Sequence, residues 1–255
     1  DGAWVERGSA ITDDSGQYSL NLVNYKNGIV KLVLSATANT RMKCDLEDCD
    51  GVGFGQSLAL SSDFILDAVL PNLTTATNIP ITPYTHMAAA MIEAKVLTAV
   101  TAADISSALS KVSALAGFDV ASTRVIDITD ATQLAAASDD EKMAAVRGAA
   151  IMELTSEQLP IAAVLKSLAS SFADGAFSAN DSISITALAN AFDAVMAESE
   201  LTANLGETVK TALQASVAQI KGQIGSDGSY TPVANPNATL SAENQGKALI
   251  RDTRS

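Results

Sequence analysis

The residues best suited to chemistry in this chain lie together in the stretch KCDLEDCDGVGFG, which covers positions 43–55. It contains both cysteines of the protein, Cys44 and Cys49. The residues between them are enough for the two Cα atoms to come within the roughly 4.4 to 6.8 Å that a disulfide spans. Structural zinc sites normally use a fuller set of Cys and His ligands, and redox pairs place fewer residues between their cysteines. The spacing therefore favours a disulfide, which indicates an oxidising compartment.

Acidic side chains surround the two cysteines and give the same loop a second candidate chemistry. Carboxylate oxygens are preferred ligands of Ca²⁺, which takes roughly six to eight oxygens. The candidate ligands are Asp45, Glu47, Asp48 and Asp50. The pattern matches only part of an EF-hand loop, because Leu46 stands at the first position and no closing Glu follows. Two interpretations stay open, a solvated acidic loop and an irregular calcium site, and no other metal or cofactor is expected.

Side chains that transfer protons near neutral pH are scarce in this chain. His86 is the only histidine, and it lies in the segment TPYTHMAAA at the predicted start of a helix. A serine-based catalytic triad would depend on this histidine, and no G-x-S-x-G motif accompanies it. We therefore interpret His86 as a helix-end or packing residue and expect no catalytic residues.

The charge and the composition argue against two further classes of protein. The chain has 29 Asp and Glu against 16 Lys and Arg, which gives a net charge of −13. Such a chain repels a phosphate backbone, and an aromatic content of 4% supplies few platforms on which bases stack. No apolar run approaches the roughly 20 residues that a membrane-spanning helix needs. We therefore expect neither nucleic-acid binding nor a transmembrane segment.

The elements that position these residues change in character near residue 80. Upstream of it, segments 15–23 and 27–38 place β-branched and aromatic residues at a period of two, which is typical of strands. Asn27-Gly28 predicts a hairpin between the two segments. Segment 64–72 predicts another strand, which Pro71 closes.

Downstream of residue 80 the chain is rich in alanine and is predicted to be helical. Thr82 before Pro83 is typical of an N-cap and a first helical residue, and the pairs Thr101 with Asp104 and Ser138 with Glu141 predict capping boxes. The predicted helices cover about 82–100, 101–117, 138–158, 161–171, 183–198 and 202–222. The Gly-, Pro- and Asn-rich tail from residue 225 reads as a linker, and a further helix is predicted from about Ser241.

The segment AITDDSGQYSLNL resembles the signature of carboxypeptidase-regulatory-like domains, which are small transthyretin-like β-sandwiches. The matching positions are Thr12, Asp13, Gly16, Tyr18 and Leu20, with Gly2, Ala3 and Val5 in the preceding strand. The order of sandwich, cysteine loop and ITPYTHMAAA also resembles bacterial secreted or lipid-anchored surface proteins of poorly defined function. In the family a strand precedes the place of Gly2. The resemblance therefore implies that the first strand lies upstream or comes from another chain.

Together these signals predict an α+β protein of two domains. Residues 1–80 are expected to form a transthyretin-like antiparallel β-sandwich and residues 82–224 an Ala-rich α-helical bundle, with residues 225–255 as a linker and the start of a further helix. We expect a non-enzymatic structural or interaction protein, secreted or on the outer cell surface. Its expected partners are other surface proteins or copies of itself, joined by β-strand addition. The alternative is an accessory module of a larger surface protein that binds a small or polymeric ligand between the domains.

Overall fold

The structure is a computed structural model that describes residues 4–73, 78–95, 100–155 and 160–233. Its strands are β1 Val30–Ser35, β2 Arg41–Lys43, β3 Asp48–Cys49, β4 Val52–Gly53, β5 Ser57–Ala59 and β6 Ile65–Leu70. Its helices are α1 Pro83–Glu93, α2 Ala102–Ala116, α3 Ala131–Ala136, α4 Asp139–Met152, α5 Ile161–Ser171, α6 Ile185–Ala197, α7 Ser199–Thr202 and α8 Glu207–Gln223. The helix predicted near Ser241 lies outside the described residues.

The described strands form three separate two-stranded antiparallel sheets, so the predicted β-sandwich is wrong. β1 pairs with β6, β2 with β5, and β3 with β4. Strands predicted over 27–38 and 64–72 are confirmed in their central parts, but segment 15–23 forms no strand. Its Tyr18 and Leu20 instead pack as side chains on the β1–β6 pair. Helix α1 packs on the other face of that pair, which is the position that a second sheet would occupy in a sandwich.

The hairpin predicted at Asn27-Gly28 is also wrong, for a reason that lies far along the chain. β1 takes its partner from β6, with Val30 opposite Leu70 and Ser35 opposite Ile65. A turn motif identifies a reversal of the chain but does not identify the strand that pairs after it.

The helix starts follow the local signals in the sequence. Thr82, Thr101 and Ser138 each accept a hydrogen bond from the backbone N–H three residues on, and all three capping boxes are complete. α5 begins directly after Pro160 and ends at Ser171, as predicted. The last helix begins later than predicted, because Gly206 is its N-cap and the short α7 precedes it.

The helices pack partly on one another and partly on β6, so they do not form the clear bundle that was predicted. α1 contacts α2, α5 and β6, while α6 contacts α4, α7 and α8. One hydrophobic core includes Phe64 and Leu66 at β6 together with Ile92, Leu115 and Leu165 of the helices. Within the described stretches, no helix is both long enough and apolar enough to cross a bilayer.

A buried arginine joins four of these helices. Arg147 of α4 is 1% exposed, and its Nη1 donates to the backbone oxygen of Leu115 in the last turn of α2, at 3.3 Å. Its Nη2 donates to the hydroxyl of Ser216 in α8, and its guanidinium carbon lies 4.7 Å from the ring centre of Phe192 in α6. No carboxylate pairs with it among the described residues. The negative C-terminal end of the α2 dipole and the ring face of Phe192 contact the guanidinium where a carboxylate would otherwise pair with it.

Candidate functional site

Cys44 and Cys49 form a disulfide, as their spacing predicts, with their Cα atoms 5.9 Å apart. Both cysteines are buried in the core. The chain reverses directly after Cys49 at Asp50 and Gly51, whose φ angles are 53° and 84°. Two successive residues of positive φ form the kind of tight hairpin turn that Asp-Gly favours. The disulfide is consistent with an oxidising compartment.

Removing the disulfide should lower the free energy of unfolding by about 2 kcal/mol, because the bond closes a short loop and restricts the unfolded chain. Urea denaturation of Cys44→Ser/Cys49→Ser against the parent measures this difference. A reducing agent should give the parent the same loss and should leave the double variant unchanged. Equal midpoints for the parent and the double variant would show that the disulfide does not contribute to stability.

Glu47 attaches the disulfide loop to the helical part of the fold. Its Oε1 accepts hydrogen bonds from the Ser199 amide at 2.8 Å, the Ser199 hydroxyl at 3.1 Å and the Glu200 amide at 3.4 Å. In return the Glu47 amide donates to Glu198 Oε2 at 3.0 Å. The backbone donors at Glu200 and Ser199 lower the pKa of the Glu47 carboxyl. Glu47 is therefore a cap for α7 that comes from a distant part of the chain.

The other predicted calcium ligands have separate surroundings. Asp48 Oδ1 accepts the Gly51 amide at 2.6 Å, Asp50 is a turn residue, and Asp45 lines a cavity between the strands and the helices. In the part of the chain that the structure describes, no three Asp, Glu, His or Cys side chains are grouped as metal ligands. Calcium binding by this loop stays a prediction.

Two hydrogen bonds show which residues of β1 bond to β6. Ala36 N donates to Phe64 O at 3.1 Å, which makes these residues a hydrogen-bonded pair just beyond the ladder. Asp67 N instead donates to His86 Nδ1 of α1 at 3.2 Å. Since bonded and non-bonded pairs alternate in an antiparallel ladder, the even-numbered residues of β1 bond to β6 and the odd-numbered ones point away.

The outer edge of β1 therefore presents the backbone N–H and C=O groups of Lys31, Val33 and Ser35. None of these groups has a hydrogen-bond partner among the described residues. Val33 at the centre of the edge is 56% exposed, and Ile65, on the same face of the pair, is 43% exposed. The edge is thus an open strand with apolar side chains beside it.

A charged cluster holds α1 against this sheet. Lys31 Nζ lies 3.3 Å from Asp67 Oδ2 and also pairs with Glu93 of α1, while His86 Nδ1 lies 3.7 Å from Asp67 Oδ2. Burial lowers the pKa of His86 against the opposing effects of Asp67 and Glu93. Because Nδ1 accepts the Asp67 amide, the imidazole is neutral and carries its proton on Nε2. His86 thus lies in the first turn of a helix and connects that helix to a strand.

The sequence carries no signal that predicts this meeting of residues. Lys31 and Asp67 come together only because β1 pairs with β6, and Glu93 joins them because α1 lies on β6. No family model, curated protein or solved structure matches this chain. The disulfide loop and the β1 edge are the structural features that bear on function.

Proposed function

We propose that this protein is a non-enzymatic interaction module that assembles by β-strand addition at the outer edge of β1. We place it in an oxidising compartment, secreted or on the outer cell surface. The observation that supports assembly is the row of outward backbone groups at Lys31, Val33 and Ser35, which have no partner in the described part of the chain. An open edge of this kind is a template for another strand.

A second copy of β1 fits this edge in antiparallel orientation about a two-fold axis. With the two Val33 residues on the axis, Lys31 of each copy faces Ser35 of the other, and every outward N–H meets a C=O. The two lysines do not face each other directly, so pairing creates no like-charge contact across the strands. The exposed Val33 side chains contact each other and lose surface to solvent.

Val33→Pro tests this assembly. Proline removes the outward N–H and leaves the ladder with β6 intact, because Leu32 and Leu34 make those bonds. Val33→Thr keeps both the N–H and the branched Cβ and is the matched control. We expect light scattering after size exclusion to show a mass that rises above the monomer with concentration for the parent and for Val33→Thr, but not for Val33→Pro. A parent that stays monomeric at every concentration would refute assembly through this edge.

A further inference from the structure

A cavity of about 180 Å³ lies where the strands of the fold meet its helices. β2, the start of β6, the start of α1, the segment after α2, and the helices α4 and α5 contribute to its wall. Most of the wall is apolar, and its larger side chains include Phe64, Tyr84, Phe118, Ile151 and Leu165. The cavity is open to solvent, and Val125 in its wall is 58% exposed.

Asp45 is the only carboxyl among the described residues that line this cavity. It follows the buried Cys44 directly, so the disulfide holds its backbone in place. Its carboxylate has no hydrogen-bond partner in the described part of the chain. The neighbouring cation Lys43 is already engaged, because its Nζ lies 2.6 Å from Asp127 Oδ2.

One hydroxyl of the cavity wall, that of Tyr84, donates to a group outside the cavity. Tyr84, which lines the cavity, donates its hydroxyl to the backbone oxygen of Arg147 at 3.2 Å. Burial, helped by the charge of Asp127 and opposed by Lys43, raises the pKa of Asp45 to about 7. Above that pH a partly buried carboxylate lines the cavity, and no protein group in the described part of the chain donates a hydrogen bond to it.

We propose that this cavity binds a small apolar amine, whose ammonium group pairs with the Asp45 carboxylate while its hydrocarbon part contacts the apolar wall. A partly buried carboxylate that lines the cavity without a hydrogen-bond donor favours a cation over an anion, and the apolar wall favours a hydrocarbon body over a hydrated one. The volume of the cavity suits a ligand of this size, since an apolar cavity of about 150 Å³ is enough to hold benzene. This site is separate from the β1 edge and does not depend on assembly.

Benzylamine is the probe for this proposal, and benzyl alcohol is its uncharged counterpart of similar shape. We expect calorimetric titration of the full chain at about pH 8 to show benzylamine binding to the parent, and binding about tenfold or more weaker to Asp45→Asn. Asp48→Asn is the matched control, because it removes one carboxylate from the same loop outside the cavity, and it should bind as the parent does. Benzyl alcohol should bind the parent and Asp45→Asn with similar affinity.

The pH supplies an independent readout. Benzylamine binding to the parent should weaken from about pH 8 to about pH 5, because the Asp45 carboxyl gains a proton while the amine stays charged. Affinity for benzyl alcohol should stay level over the same range. Equal benzylamine affinity in the parent and Asp45→Asn, or no benzylamine binding to the parent, would overturn the proposal.

Discussion

Asp45→Asn should raise the free energy of unfolding by about 2 to 4 kcal/mol at about pH 8, the largest gain that we expect from a single substitution. Burial raises the pKa of Asp45 from 3.8 to about 7. Between these two values the folded protein binds a proton that the unfolded chain does not, so the parent loses stability as the pH rises through this window. Asparagine has no charge to bury and avoids that loss.

Chemical denaturation of the parent and Asp45→Asn between about pH 4 and about pH 8 measures this effect. The two should be nearly equal at the acidic end and should diverge as the pH rises. His86 has the opposite sign, since burial lowers its pKa from 6.5 and its contribution is lost as the pH falls. That contribution is common to both proteins and cancels in their difference. Parallel pH profiles would show that folding does not raise the pKa of Asp45.

Arg147→Ala should lower the free energy of unfolding by about 3 to 5 kcal/mol. The substitution opens a cavity between α2, α4, α6 and α8 and removes the guanidinium from the ring of Phe192. It also leaves the backbone oxygen of Leu115 and the hydroxyl of Ser216 without their donor.

Two variants separate the parts of this effect. Arg147→Met fills most of the volume without donating, and we expect a smaller loss of about 1 to 3 kcal/mol, since an apolar residue also removes a buried charge. Arg124→Ala is the matched control, because the Arg124 side chain, which pairs with Glu141, is 45% exposed, and it should lose at most about 1 kcal/mol. Urea midpoints that are equal for Arg147→Ala and Arg124→Ala would contradict the role given to Arg147.

The features that were predicted correctly depend on neighbours along the chain. Thr82, Thr101 and Ser138 cap their helices through residues three positions on, so a short window of sequence contains the whole signal. The disulfide between Cys44 and Cys49 was predictable for the same reason, because only a few residues separate the two cysteines. The β1–β6 pairing joins distant segments, and no local pattern distinguishes it from the hairpin that Asn27-Gly28 suggested.

The surroundings of the charged residues could not be predicted from the sequence. Asp45, Glu47 and Asp48 look alike in an acidic loop, yet one lines a cavity, one caps α7 and one accepts a turn amide. Arg147 likewise has a side-chain type that is mostly found at the surface, yet it is buried in α4. Packing between distant elements decides these environments, so they become visible only in the folded structure.

Residue-resolved amide hydrogen exchange across β1 tests assembly by strand addition most directly. The amides of Leu32 and Leu34 bond to β6 and should be protected at every protein concentration. Assembly through the β1 edge predicts that the amides of Lys31, Val33 and Ser35 exchange quickly in dilute protein and become protected as the concentration rises. Fast exchange of these three amides at every concentration would contradict it.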